Sequence, residues 1–545
     1  MMAPSAPVRN GGDLVVETLE RLGFDTLFGI PGQHALGLFD ALRRGSLHYV
    51  GSRIENNAAF AADGYARATG RPAALFLSTG PGALTALAGL QEAHSTSVPM
   101  VVLVSQVPTP GLGGTRTSHL HQLDDQQASA RNVVKSTRLV RTADGIPSAI
   151  AEAHREAMTH PRGPVWIEIP QDIILAQTTV PPVGDVARPV ANPTARAELL
   201  DEASRLLAGA AKPVILAGGG VRRSGAESAL LRLAESLRAV VITTPGGTGA
   251  FPWNHPLSGQ SWIEDRLTTD LLEDADVLLA VGTGFGEVTS NYFTLAPRGT
   301  VIHIDAEPRR LGVHFPTLSI HADAAEALEA LNARIQPRTA DAEAEKTAAD
   351  LIAGVAARLD AQPLEEERAL LQAIRDGVPD GTHTYWDMTI AGYWAWSCWD
   401  ARDGQFHSAQ GAGGIGWAFG AALGGAVGRA ERVLAVSGDG GAMYSISELA
   451  VAKQHNLPVT WLIIDDGGYG ILREYMIDSF GEATGTELVR PDFVALATSF
   501  GVPAEDIPAT DLEAALSRSW TETGPRVLVV RTHLDMFAPT HLPAH

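Results

Sequence analysis

Along the chain, short runs rich in Val, Ile and Leu recur between longer amphipathic stretches. The first are TLFGI at 26–30, AALFLST at 73–79, MVVLVS at 100–105 and VWIEIP at 165–170. Runs this apolar predict strands buried on both faces. Their alternation with helical patterns predicts a doubly wound parallel sheet. Residues 176–196 lose the pattern and gather Pro181, Pro182, Pro189 and Pro193, as expected of a linker. A second set of strands follows at PVILAGGG (213–220), AVVITT (239–244), DVLLAVGTG (276–284) and TVIHIDA (300–306). The Ala/Glu/Asp-rich stretch 336–365 has no strand pattern and reads as a partly helical connector. The third block opens on Trp386, Trp394, Trp396 and Trp399 and carries strands at RVLAVSGDG (432–440), VTWLIIDD (459–466) and RVLVVRT (526–532). The expected fold is α/β, with three doubly wound parallel-sheet domains over 1–180, 190–340 and 365–545.

Composition narrows the function. The chain has 545 residues, 45% of them hydrophobic and 19% charged, which is ordinary for globular domains and excludes a disordered polymer. It carries 62 Asp and Glu against 41 Lys and Arg, a formal charge of −21, with no run of four basic residues. Such a surface repels polyanions, so neither nucleic acid nor an anionic membrane is an expected partner. A single cysteine, Cys398, excludes an intrachain disulfide framework and a Cys-rich metal site. No signal-peptide core opens the sequence and no stretch of 18 apolar residues occurs, so a cytoplasmic location is expected.

The most specific motif is Gly438-Asp439-Gly440-Gly441, which ends one apolar strand and opens a helical pattern; the next apolar strand ends in Asp465-Asp466-Gly467-Gly468. A glycine turn at a strand's carboxyl end lets backbone amides approach a diphosphate, the usual ligand position in open α/β sheets. An acid in that turn and a second oxygen from the neighbouring strand end suit a hard divalent cation such as Mg2+. Taken alone, the pair also reads as two ordinary acidic turns.

The spacing of these turns resembles the diphosphate-binding motif of thiamine-diphosphate (ThDP) enzymes, and the resemblance covers nearly the whole chain. It implies a metal held by Asp439, Asp466 and the carbonyl of Gly468, with Asp466 standing where the family usually has Asn. Residues 53–70, RIENNAAFAADGYARATG, resemble the family's RHEQxAAxAADGYARATG segment, which places Glu55 on the catalytic glutamate, with Ile54 for His and Asn56 for Gln. That carboxyl bonds N1′ of the aminopyrimidine and stabilises the imino tautomer that deprotonates C2. Without the resemblance, Glu55 reads equally as a helix N-terminal acid.

Gly411-Ala412-Gly413-Gly414-Ile415-Gly416 formally matches a dinucleotide fingerprint, but it follows no clear strand and lacks the downstream acid. It resembles instead the family segment in which Ile415 would wedge between the two rings of the cofactor while Gly413 and Ile415 backbone groups bond the pyrimidine edge. Phe28-Gly29-Ile30-Pro31-Gly32-Gln33-His34 resembles the turn facing the thiazolium, making Gln33 and His34 substrate-side candidates, and Thr79-Gly80-Pro81-Gly82 resembles another cofactor turn. His119-Leu120-His121-Gln122-Leu123-Asp124-Asp125-Gln126 resembles the loop that carries an active-site Phe-Gln pair in acetolactate synthases, with His121 replacing Phe and Gln122 retained, although a surface loop would look alike.

The resemblance implies a ThDP- and Mg2+-dependent, non-oxidative 2-oxo acid decarboxylase or carboligase acting through a C2 ylide and an enamine-type carbanion. It also implies a homodimer or homotetramer with sites between subunits. An acetolactate synthase is the alternative, with FAD disfavoured because Gly284-Phe285-Gly286-Glu287 and Gly259-Gln260-Ser261-Trp262 replace flavin-site segments. The GIPGQH and HLHQL pieces look more like decarboxylases of longer polar 2-oxo acids of the 5-guanidino-2-oxopentanoate type, with Asp124 or Asp125 suited to a cationic tail. A dinucleotide or flavin oxidoreductase lacks its fingerprint here.

Overall fold

A computed structural model describes residues 9–114, 116–339 and 342–538. All strand ladders are parallel, and they form three sheets. The first holds β1 (Thr26–Gly29), β2 (His48–Gly51), β3 (Ala73–Leu77), β4 (Met100–Gln106), β5 (Thr137–Leu139) and β6 (Pro164–Pro170), in the order β2-β1-β3-β4-β6-β5. The central sheet holds β7 (Pro213–Ala217), β8 (Val240–Thr243), β9 (Val277–Val281), β10 (Thr300–Asp305) and β11 (Leu318–His321), ordered β11-β10-β9-β7-β8. The third holds β12 (His383–Trp386), β13 (Gln405–Ser408), β14 (Val433–Gly438), β15 (Val459–Asp465), β16 (Ala504–Asp506) and β17 (Arg526–Arg531), ordered β13-β12-β14-β15-β17-β16.

Strands such as β4, β7, β9 and β15 are buried along their whole length, because helices cover both faces. The two outer sheets have the same strand order, so each reverses direction at one point: between β1 and β3, and between β12 and β14. Open α/β sheets bind ligands at that crevice, beyond the carboxyl ends of the strands.

The outer domains are joined by one close helix crossing. Helix Glu55–Thr69 lies against helix Trp417–Arg429 through alanine and glycine faces that belong to a common core. A Cβ on Gly64 would sit 1.9 Å from the carbonyl oxygen of Ala421, and one on Gly424 would sit 1.7 Å from that of Ala61. Beside the crossing, Arg67 pairs with Asp63 and Glu92, each at 2.8 Å, and Asp63 accepts the Trp417 indole N–H at 2.9 Å. The proline-rich segment after residue 176 runs along helix Gly11–Arg21, held where Glu17 accepts the Val183 N–H at 2.9 Å. In the 336–365 stretch, helix Glu343–Asp360 buries Leu351, Val355 and Leu359.

Candidate active site

At the reversal point of the third sheet, β14 ends at Gly438 and helix Asp439–Ser445 begins at once. A cavity of about 250 Å³ opens there, and its wall includes Gly413, Ile415, Gly438, Gly440, Gly441, Asp466 and Gly468. Asp387, just after β12, and Tyr469 complete the wall near the glycines. A Cβ on Gly440 would meet the Tyr469 ring at 2.6 Å, and one on Gly441 would meet Asp387 Oδ2 at 2.8 Å. The wall is therefore bare backbone that a diphosphate can approach closely.

Asp439 is buried, and neither of its carboxylate oxygens meets a well-aligned donor. Burial above all, then the charges of Asp466 and Asp465, push it up to about 7. Asp466 is raised too, chiefly by burial, and its Oδ1 accepts the Gly468 N–H at 3.3 Å. Asp465 is turned away to pair with Arg490 at 2.9 Å. A buried carboxylate with two orphaned oxygens beside a second carboxyl is the donor set of a hard divalent cation. Gly468 allows the second turn to close: a Cβ there would lie 1.9 Å from the carbonyl oxygen of Thr486. These residues fit both a divalent metal and a diphosphate.

One expectation from the sequence is corrected here. The Gly411–Gly416 segment does follow a strand, β13, and opens helix Trp417–Arg429. Its sequence, QFHS, has no apolar run, because β13 is an edge strand. Gly413 and Gly416 have φ of +67° and +78°, turning the chain so that Ile415 reaches the cavity.

The first domain's residues gather at the other reversal point. Gln33 and His34 form a 3-10 turn beyond β1; Gln33 is exposed and His34 is buried. Beyond β3, Thr79 is buried and bonded through both N–H and Oγ1 to Ser105 Oγ, at 2.9 and 2.8 Å. Glu55 is the half-exposed first residue of its helix and comes close to Gly82, where a Cβ would lie 2.9 Å from Oε1. His121, at φ +66°, brings its ring within 5.5 Å of His34, whose pKa is held below the usual histidine value by burial and by His121 and His119. His119 belongs to this group although no family position singled it out in the sequence. The Gln122 amide is engaged within its own loop, donating to the Gly111 carbonyl at 2.8 Å and accepting from the His119 N–H at 3.1 Å. Asp125 caps the short helix Gln126–Ala130 and pairs with Arg131, and Asp124 is exposed. Within one chain, Glu55 and this cluster do not line the cavity that holds Asp466 and Ile415.

A larger cleft of about 690 Å³ lies at the carboxyl end of the central sheet, lined by Gly219, Arg223, Gly282, Gly284 and Arg310 among others. Met388 and Gly413 belong to both cavities.

The fold, with a glycine-walled cavity at one reversal point and a side-chain cluster at the other, is that of a thiamine-diphosphate enzyme. The chain belongs to the thiamine pyrophosphate enzyme family, whose N-terminal TPP binding, central and C-terminal TPP binding domains match residues 9–129, 200–331 and 387–530. It is similar to a probable 2-ketoarginine decarboxylase of Pseudomonas aeruginosa, 30% identical with 95% of this chain and 93% of the relative covered. The acetolactate synthase isozyme 2 large subunit of Escherichia coli is 31% identical, over 96% of this chain and 95% of its own length. Among solved structures, a thiamine diphosphate-dependent 4-hydroxybenzoylformate decarboxylase of Rhodococcus jostii superposes with a TM-score of 0.83 at 25% identity, covering 96% of this chain and 99% of that one. The protein is an enzyme of this decarboxylase and acetolactate synthase group. No helix among the described residues is long and apolar enough to cross a membrane.

Proposed function

We propose that the chain is a Mg2+-assisted decarboxylase of a 2-oxo acid, active as a homo-oligomer in which each site joins the first domain of one subunit to the third domain of another. The observation that carries the reading is the buried Asp439 carboxylate with two orphaned oxygens, facing Asp466 beside the glycine wall. Asp439, Asp466 and the Gly468 carbonyl would hold the metal, and the backbone of Gly438–Gly441 would hold the diphosphate. When bound, thiamine diphosphate supplies the electron sink for loss of CO2. Ile415 would pack against the bound cofactor, and the backbone of Gly413 and Ile415 would hold its pyrimidine edge. Glu55, entering from the partner, would hold or release a proton at the pyrimidine end of the bound cofactor. Thr79 sets the turn beside it. Gln33, His34 and His121 face the substrate, Gln122 braces the loop that carries His121, and the histidines favour proton delivery over ligation to a second carbonyl. The overall reaction is redox-neutral, so its balance needs no flavin.

Exposed apolar side chains support the two-subunit site. Leu36, Leu84 and Leu120 stand on elements of the first half-site and Leu472, Tyr475 and Ile477 near the second, each more than a third exposed. For the substrate, buried Glu264 lies near two phenols of the cavity wall: burial and then its charge raise Tyr393, and burial, then Tyr393, then Glu264 raise Tyr475. That supports a tail carrying a hydrogen-bond donor or cation, as in the 2-ketoarginine named for the Pseudomonas relative.

Calorimetric titration of ThDP with and without Mg2+, then product analysis over 2-oxo acids with neutral, anionic and guanidinium tails, tests the reading. Magnesium-dependent binding and aldehyde release are expected. Absent ThDP binding under both conditions would sink it.

A further inference from the structure

Two fully buried carboxylates cross between the outer domains in opposite directions. Glu92 stands on helix Leu87–Ser95 of the first domain, yet its Oε1 accepts the Gly411 N–H at 3.1 Å and its Oε2 accepts the Ala412 N–H at 2.7 Å. Arg67 holds it there at 2.8 Å. The chain it grips continues directly to Gly413 and Ile415. Glu448 ends the 3-10 turn Ile446–Glu448 of the third domain, which continues from helix Asp439–Ser445. Its Oε1 accepts the N–H groups of Arg53 at 2.9 Å and Ile54 at 3.1 Å, while Oε2 has no partner. The next residue is Glu55. Helix Glu55–Thr69 has Ile54 at its N-cap, a residue with no side-chain oxygen, so its entry is anchored from another domain.

We propose that Glu92 and Glu448 are positioning residues, each fixing the backbone that carries the other domain's cofactor contacts. Glu448 sets Glu55, and Glu92 sets the Gly413–Ile415 loop. The inference rests on the ThDP reading for what those contacts do. A carboxyl acceptor bonded to successive amides in a dry interface fixes backbone direction more tightly than the flanking loops can. A displacement of about 1 Å at the pyrimidine end costs rate without much loss of substrate affinity. The two carboxylates differ in one testable way. Glu448 uses a single oxygen, so glutamine replaces it without loss of an acceptor. Glu92 uses both, so glutamine sets an N–H against an N–H.

The test uses the full-length enzyme with E448A, E448Q, E92A and E92Q. Amide hydrogen exchange is read by mass spectrometry with and without ThDP and Mg2+, beside kcat and KM. E448A is expected to speed exchange at residues 53–57 about tenfold while 411–415 stay as in the wild type, and E92A is expected to do the reverse. In both, kcat falls about a hundredfold and KM changes less than about threefold. E448Q returns to within about threefold of wild type, and E92Q does not. Wild-type kcat in the alanine variants, uniform loss of protection along the chain, or E448Q behaving like E448A would overturn the proposal. If the alanine variants do not fold, the glutamine pair decides: wild-type exchange at 411–415 in E92Q overturns it. Exchange in the cofactor-free protein stands apart from the ThDP reading, which fails separately if the wild type binds no ThDP.

Discussion

Asp439 and Asp466 face each other from the carboxyl ends of the paired strands β14 and β15, two acids at one crevice. Like charges this close oppose each other until a cation neutralises them. Replacing Asp439 by Ala is expected to abolish Mg2+-dependent ThDP binding in calorimetry. Replacing Asp466 by Asn, the residue usual in the family, keeps that binding within about tenfold. The same change relieves repulsion in the metal-free protein, which is expected to gain about 1 kcal/mol at pH 8 in thermal unfolding.

Glu55 lies outside the cavity that Asp466 lines in its own chain, and the role proposed for it is proton exchange rather than affinity for diphosphate. Glu55→Gln is expected to lower kcat by about 100-fold or more while ThDP binding changes little. Steady-state turnover beside calorimetric titration checks this, and unchanged turnover refutes the role.

Gly424 has no room for a side chain at the helix crossing, since the Ala61 carbonyl would stand 1.7 Å from a Cβ. Gly424→Ala forces the two helices apart and is expected to cost about 2–3 kcal/mol. Urea unfolding reads the loss, and an unshifted midpoint would mean that the crossing gives way at no cost.

His383 and His407 meet across β12 and β13, with Nδ1 and Nε2 3.4 Å apart. Burial pushes His383 down from 6.5 to about 3 and His407 well below 6.5. Both are neutral in the fold where the unfolded chain's histidines bind protons. The unfolded state therefore binds more protons between pH 6.5 and about 3, and stability is lost as pH falls through that window. The buried acids Asp63 and Asp387, raised to about 6, work the other way. His383→Gln is expected to remove up to about 1.4 kcal/mol per pH unit of acid sensitivity. Urea unfolding at pH 7.5 and 5.0 compares it with the wild type.

The long apolar strands were legible because strands covered on both faces must be apolar throughout, as in AALFLST and VTWLIIDD. The strands that escaped notice, β2, β5, β11, β13 and β16, all lie at sheet edges, where short and polar segments suffice. β12, an inner strand, was visible only as part of the tryptophan cluster. Glycine turns such as Gly438–Gly441 could be read because close backbone approach demands glycine. Asp387, Glu92 and Glu448 could not. Glu448 meets Arg53 across 395 positions and Glu92 meets Ala412 across 320, and no local pattern marks an acid whose partner is so distant.

The shared strand order of the outer sheets has a functional reading. The first and third domains correspond element by element, with the turn after β3 answering to the turn after β14. On the proposed reading, one holds the acids and bases and the other the phosphate and metal. The central domain keeps a different order. One architecture used twice in a chain thus divides a single chemical task, and the contacts of Glu92 and Glu448 tie the geometry of each half to the other.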